Sequence, residues 1–175
     1  MTEMIIYDFC QTIVDYESAD DFCLFVYKEL NDKKRKIYES VAKLLLVRVL
    51  TYLLRLLQHD YILTKHILLK SLKGIHQDEI ERLAQKYYRD VVRNHIRREI
   101  VDLISDQQKS GKMIVVVSVA YEPYLRCFAD EYDIDYLITN EFLYDGNGVF
   151  TGKIKTSDCI GMNKLLRFRN FCEIE

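Results

Sequence analysis

Apolar and polar positions change their spacing several times along the chain, and each change predicts a different element. Met4-Ile5-Ile6-Tyr7 is a short apolar run rich in β-branched residues, which predicts a buried strand. Asp8, Cys10 and Thr12 then put an acid, a thiol and a hydroxyl at alternate positions where that strand ends. Phe22, Phe25, Val26 and Leu30 recur at helical spacing behind an acidic stretch in which Ser18 or Asp20 is placed to cap. Over residues 37–72 the helical pattern is strong: Val41, Leu44, Leu45, Val49, Tyr52, Leu53, Leu56 and Leu57 form a wide apolar arc with Lys43, Arg48 and Arg55 between them. Gly74 reads as a stop, and Gln77-Asp78 opens a helix carrying Ile80, Leu83, Ala84, Tyr87 and Tyr88. A further helix over residues 94–109 carries Ile96, Ile100, Leu103 and Ile104, with Gly111 ending it.

Met113 to Ser118 is a second buried strand, a continuous β-branched run of the kind that fills a parallel sheet. Pro123 suits the first turn of a helix through Leu125, Phe128, Ala129 and Tyr132. Asp135 to Thr139 predicts a third strand, and the apolar runs on either side of Asp145-Gly146-Asn147-Gly148 predict a hairpin. Gly161 to Arg169 reads as a last helix. Alternation of strand and helix implies a parallel α/β layer, while the helical stretch after the first strand is too long for a simple crossover. The expected division is an α/β core from residues 1–14 and 94–175 and an inserted all-helical cap from residues 15–93.

Composition narrows the setting. Hydrophobic residues make up 49% and charged residues 30% of the 175, with one proline and six glycines, a globular balance. A net charge of -2 gives no reason to expect nucleic acid, and Lys33-Lys34-Arg35-Lys36 has no flanking aromatic platform, so it reads as a solvated linker. Arg48 and Arg55 interrupt the long apolar arc, which argues for a helix in a bundle rather than a transmembrane segment; a membrane-surface helix through Leu44 to Leu57 is the alternative. The five cysteines form no C-x-x-C pair, which together with the absence of a secretory pattern at the N-terminus fits a reducing, cytoplasmic location.

Chemistry concentrates at three points. Asp8 ends strand one, Ser118 ends strand two, and Lys164 follows Gly161 in a late loop or helix start. Open α/β sheets place ligands at the carboxyl ends of their strands, although an acid there also serves as a cap. A carboxylate, a hydroxyl and an ammonium together suit phosphoryl transfer, which needs in-line attack and positive charge around the transferring oxygens. Ser118 also precedes a helix whose N-terminal amides are suited to phosphate.

On these residues the sequence resembles the haloacid dehalogenase-like superfamily, in its phosphoserine-phosphatase-like branch with a helical cap. Asp8-Phe9-Cys10-Gln11-Thr12 is similar to the D-x-D-x-T first motif, Val115-Val116-Val117-Ser118 to the second, and Gly161-Met162-Asn163-Lys164 to the lysine-bearing third. The resemblance implies a Rossmann-like parallel sheet and an Asp8 nucleophile that forms an aspartyl-phosphate. It further implies Thr12 and Ser118 as phosphate ligands, Lys164 as the neutralising charge, and Glu17 as a substrate-amine ligand. Mg2+ is expected, bound through the Asp8 carboxylate and the Cys10 backbone carbonyl, with a small phosphorylated metabolite as substrate.

Two features depart from that pattern. Cys10 stands where the family has the acid that protonates the leaving group and activates water, and no acidic fourth motif follows Lys164. The expected Mg2+ affinity is therefore low, and strand one is expected to be an open sheet edge. From this we expect either a longer natural product or self-association through that edge. The activity expected of the chain as given is weak or none; the alternative is a catalytically silent phosphate-ester-binding or interaction module of the same fold.

Overall fold

The computed structural model describes residues 3–31, 40, 41, 49, 52 and 63–174. Most of the helix expected over residues 37–72, with Arg48, Arg55 and the Leu44 to Leu57 arc, lies outside the described residues. Strand β1 (Met4–Tyr7) is followed by helix α1 (Ser18–Leu30), then by α2 (Leu63–Ser71), α3 (Gln77–Asp90), a short 3-10 turn at Val92–His95 and α4 (Arg98–Lys109). Strand β2 (Met113–Tyr121), helix α5 (Glu122–Glu131), strand β3 (Tyr136–Asn140), hairpin strands β4 (Phe142–Tyr144) and β5 (Phe150–Ile154), and helix α6 (Met162–Ile174) complete the order.

The core is a Rossmann-like parallel sheet in the order β1-β2-β3, with Tyr7 opposite Val116 and Val117 opposite Ile138. Alternation along β2 divides the core in two. Ile114, Val116 and Ala120 join the large cluster with Phe9, Phe22, Tyr87, Leu125 and Phe128, whereas Val115 and Val117 pack with Ile138 and Cys159 beneath Phe168 and Phe171 of α6. Residues from the helices between β1 and β2 and from the sheet share that large cluster. The hairpin braces them further, since Phe150 and the Ile75 and Gly74 backbone exchange hydrogen bonds of 2.9 Å. Among the described residues no helix is long and apolar enough to cross a membrane.

Local chemistry moved several boundaries. Strand β2 runs three residues past Ser118, because the apolar sequence continues to Tyr121 and the helix waits for Glu122 and Pro123. Between Val117 and Tyr121 it spends four residue steps where β3, from Ile138 to Asn140, spends two, so Ser118, Val119 and Ala120 form a bulge. Helix α1 has Glu17 at its N-cap, without a side-chain cap bond, rather than Ser18 or Asp20. Helix α4 starts at Arg98 instead of 94, since Ile96 is held extended against Val14 and Arg97 N–H donates to the Ile13 carbonyl at 2.8 Å. Its buried face is Val101 and Ile104, while Leu103 is exposed. Helix α6 continues to Ile174, five residues beyond the expected end.

Candidate phosphoryl-transfer site

Asp8 leaves the carboxyl end of β1 and enters a tight loop wound over the Phe9 carbonyl, which accepts hydrogen bonds from the amides of Thr12, Ile13 and Val14. Gln11 takes a left-handed conformation (φ 59°) to close that loop, and Phe9 anchors it by packing edge-on against Phe128. The loop fixes the Asp8 carboxylate from one side: its Oδ1 accepts the Phe9 N–H at 2.7 Å. Lys164, in the first turn of α6, fixes it from the other, with Nζ 2.6 Å from Asp8 Oδ2. The two side chains are 45% and 24% exposed, so the pair remains open to a ligand. Beside it lies a mostly apolar groove of ≈ 180 Å³ lined by Ile6, Tyr7, Val117, Leu165 and Phe168.

The other candidates are arranged differently. Ser118 is fully buried in the β2 bulge, on the strand adjacent to Asp8, and its Oγ accepts the Ala120 N–H at 3.1 Å. It neither ends the strand nor adjoins a helix N-terminus, as the sequence pattern had suggested, because α5 begins only at Glu122. Thr12 is half-buried in the loop after Asp8, and Glu17 is exposed at the N-cap of α1.

Cys10 is turned into the core. Only 7% exposed, its thiol shares a hydrogen bond of 3.3 Å with Ser18 Oγ, which in turn bonds the Tyr124 hydroxyl at 2.8 Å. Burial pushes the thiol above its ordinary range, and the nearby Glu17 and Asp8 charges act in the same direction against the Ser18 hydrogen bond. At neutral pH the thiol is therefore protonated and cannot act as a base.

Mg2+ prefers an octahedral set of oxygen ligands. The site offers the Asp8 carboxylate, and among the described residues no group of three or more His, Cys, Asp or Glu side chains converges. That set does not fit a resident Mg2+ ion.

A second polar cluster escaped the sequence reading. Lys65, Asn140 and Asp158 meet at the carboxyl ends of β2 and β3, with Lys65 Nζ 2.7 Å from Asp158 Oδ1 and side chains 6% and 11% exposed. Nothing in the local pattern marks them, because each is a single polar residue in a segment whose periodicity speaks only for helix, strand or turn.

A family model for haloacid dehalogenase-like hydrolases matches residues 5–175. No curated protein sequence matches the chain. Among solved structures, a protein of unknown function from Bordetella pertussis Tohama I superposes with a TM-score of 0.73 at 15% identity, over 98% of this chain and 74% of that one. A HAD family hydrolase from Salmonella enterica gives 0.61 at 13% identity, covering 98% of this chain and 51% of its own. A probable phosphoserine phosphatase from Vibrio cholerae gives 0.60 at 15% identity, covering 100% and 48%. The chain thus spans about half the length of the last two. At these identities the structures speak for the fold alone, and it is the family-model match over residues 5–175 that establishes that the chain belongs to the haloacid dehalogenase-like hydrolase family.

Proposed function

We propose that this chain takes the phosphoryl group of a small phosphorylated metabolite onto Asp8 and hydrolyses the resulting aspartyl-phosphate slowly. The observation that carries the proposal is the Asp8–Lys164 pair: a carboxylate oriented by a backbone amide and faced by an ammonium at 2.6 Å, at the carboxyl edge of a parallel sheet. In the first step an Asp8 oxygen attacks phosphorus, the ester P–O bond breaks, and the leaving oxygen takes a proton from water. Lys164 balances the charge on the transferring oxygens. In the second step water attacks the same phosphorus, which frees phosphate and restores Asp8.

Low turnover follows from Cys10, since a buried, protonated thiol leaves the water without a base. The helices in residues 15–93 act in this reading as a cap that selects the substrate, with Glu17 at its margin. The test is phosphate release from para-nitrophenyl phosphate with Mg2+ present: slow release by the wild type and none by Asp8→Asn supports the proposal, and equal release by both removes Asp8 from the chemistry.

The inward-facing thiol, and the lack among the described residues of a convergent group of three or more metal-ligating side chains, also favour a second reading, a binding module that holds a phosphate ester without turning it over. Calorimetry that shows para-nitrophenyl phosphate bound, with no phosphate released, selects this alternative.

A further inference from the structure

Where β2 bulges out of its ladder, the Val119 carbonyl is captured by side chains. Lys65 Nζ, reaching down from α2, donates to it at 3.0 Å, and Asn140 Nδ2 donates to it at 2.8 Å. Lys65 also donates to both oxygens of Asp158, at 2.7 and 2.9 Å, and Asn140 Nδ2 meets Asp158 Oδ1 at 2.6 Å. The Asn140 side-chain oxygen accepts the Cys159 N–H at 2.9 Å. From α6, Arg167 Nη2 donates to the Thr139 carbonyl at 2.7 Å.

One ammonium therefore ties three pieces of chain. The first is the bulge that carries Ser118. The second is the strap through Asp158 and Cys159 that leads, by way of Gly161, into α6 and Lys164. The third is α2, which belongs to the helical segment inserted between β1 and β2.

Stability alone is a poor reason for such a tie. A buried ion pair gains little over well-packed apolar residues of similar size, because both charges must be stripped of water. What the pair supplies and apolar residues cannot is direction: it holds a carbonyl and a carboxylate at fixed distances from one point on α2.

We infer that Lys65 is a positioning residue for the Asp8–Lys164 site, setting the Ser118 bulge and the strap before Lys164 in register with the helical segment. This inference rests on the reading of Asp8 and Lys164 as the phosphoryl site.

The test compares Lys65→Met with Lys65→Met/Asp158→Leu, by thermal unfolding, by kcat and KM for para-nitrophenyl phosphate, and by amide exchange over residues 156–164. The single variant leaves a buried carboxylate unpaired and unfolds at a lower temperature. The double variant removes both charges and regains thermal stability. If Lys65 positions the site, the double variant still loses roughly 10- to 100-fold in kcat/KM, as small displacements of reacting groups do, and residues 156–164 exchange faster. A double variant with both wild-type stability and wild-type kcat/KM overturns the inference. Should the wild type neither bind nor hydrolyse the ester, the Asp8 reading fails by itself. Amide exchange then judges the tie, and unchanged protection of residues 156–164 in the double variant refutes it.

Discussion

Cys10→Asp separates an impaired catalyst from a silent pocket. The side chain at this position is 7% exposed and points at the Ser18 hydroxyl, which is itself bonded to Tyr124. The influences that raise the thiol, burial first and then the charges of Glu17 and Asp8, would raise an introduced carboxyl as well, while the Ser18 hydroxyl would partly oppose them. A raised carboxyl suits a general acid, and general acid–base catalysis contributes about 10²- to 10⁴-fold, equivalent to roughly 2.7–5.4 kcal/mol of barrier.

The same burial has a cost in stability. Because the folded-state value lies above the unfolded one, near 4, stability is retained below that pH and falls as the pH rises through the folded value. Ionising a buried, incompletely bonded group costs at least about 1–3 kcal/mol. The expected result is a less stable protein at neutral pH that releases phosphate from para-nitrophenyl phosphate faster than the wild type, with the gain abolished by adding Asp8→Asn. A thermal melt run beside the assay shows whether the variant is folded. A folded variant with no gain at any pH between about 4 and 8 would refute the claim that Cys10 limits turnover.

Other perturbations address separate links. Lys164→Met should change stability by only about 0–1 kcal/mol, since the pair is partly exposed, yet lower Asp8-dependent turnover about 10²- to 10³-fold; unaltered turnover would show that the ammonium is not used. Asp20 is raised by burial more than the Lys65 charge lowers it, so its ionisation costs stability as pH rises through its folded value. Asp20→Asn should therefore raise the melting temperature at pH ~7 and leave it unchanged below pH ~3, and an equal effect at both would exclude titration as the cause. Ile6 is 49% exposed on the β1 edge and lines the groove beside Asp8 together with Leu165, 64% exposed. We propose that this face drives self-association, which light scattering should detect as a concentration-dependent increase in mass that Ile6→Lys suppresses; a monomer at all concentrations dismisses it.

Much of this was legible from spacing. The β-branched runs gave all three parallel strands, and the Asp145-Gly146-Asn147-Gly148 sequence gave the hairpin, whose Asp145 carboxylate accepts the amides of Asn147 and Val149. Asp8, Ser118 and Lys164 are expected to converge; Asp8 and Lys164 meet, while Ser118 is buried in the bulge of the neighbouring strand. Two of the misses share a cause: backbone partners that lie far away in sequence. Ile96 follows helical periodicity but is claimed by Val14, which delays α4. Ser118 looks like a strand end because serine interrupts an apolar run, yet the ladder resumes at Tyr121 opposite Asn140. Local pattern could not show that Cys10 faces Ser18 and Tyr124, since the direction of a side chain in an irregular loop depends on what the loop packs against.

Two lysine–aspartate pairs of the same chemistry play opposite parts, and exposure decides which is which. Lys65–Asp158, at 6% and 11% exposed, is closed to any ligand, and each charge is satisfied by groups already in the fold. Lys164–Asp8, at 24% and 45%, is partly open and worth little as a fastening, because water screens it and competes for it. The attachment of α6 to the sheet does not depend on it either, since Phe168 and Phe171 already pack against Val115, Val117, Ile138 and Cys159. A charge pair that contributes little to holding the fold, yet is oriented from both sides and reachable from solvent, is one whose partners can be exchanged. A phosphoryl group entering between them would keep the Lys164 charge and take the Asp8 oxygen as its new ligand. For this reason the proposed chemistry sits at Asp8 and Lys164 and its proposed alignment at Lys65.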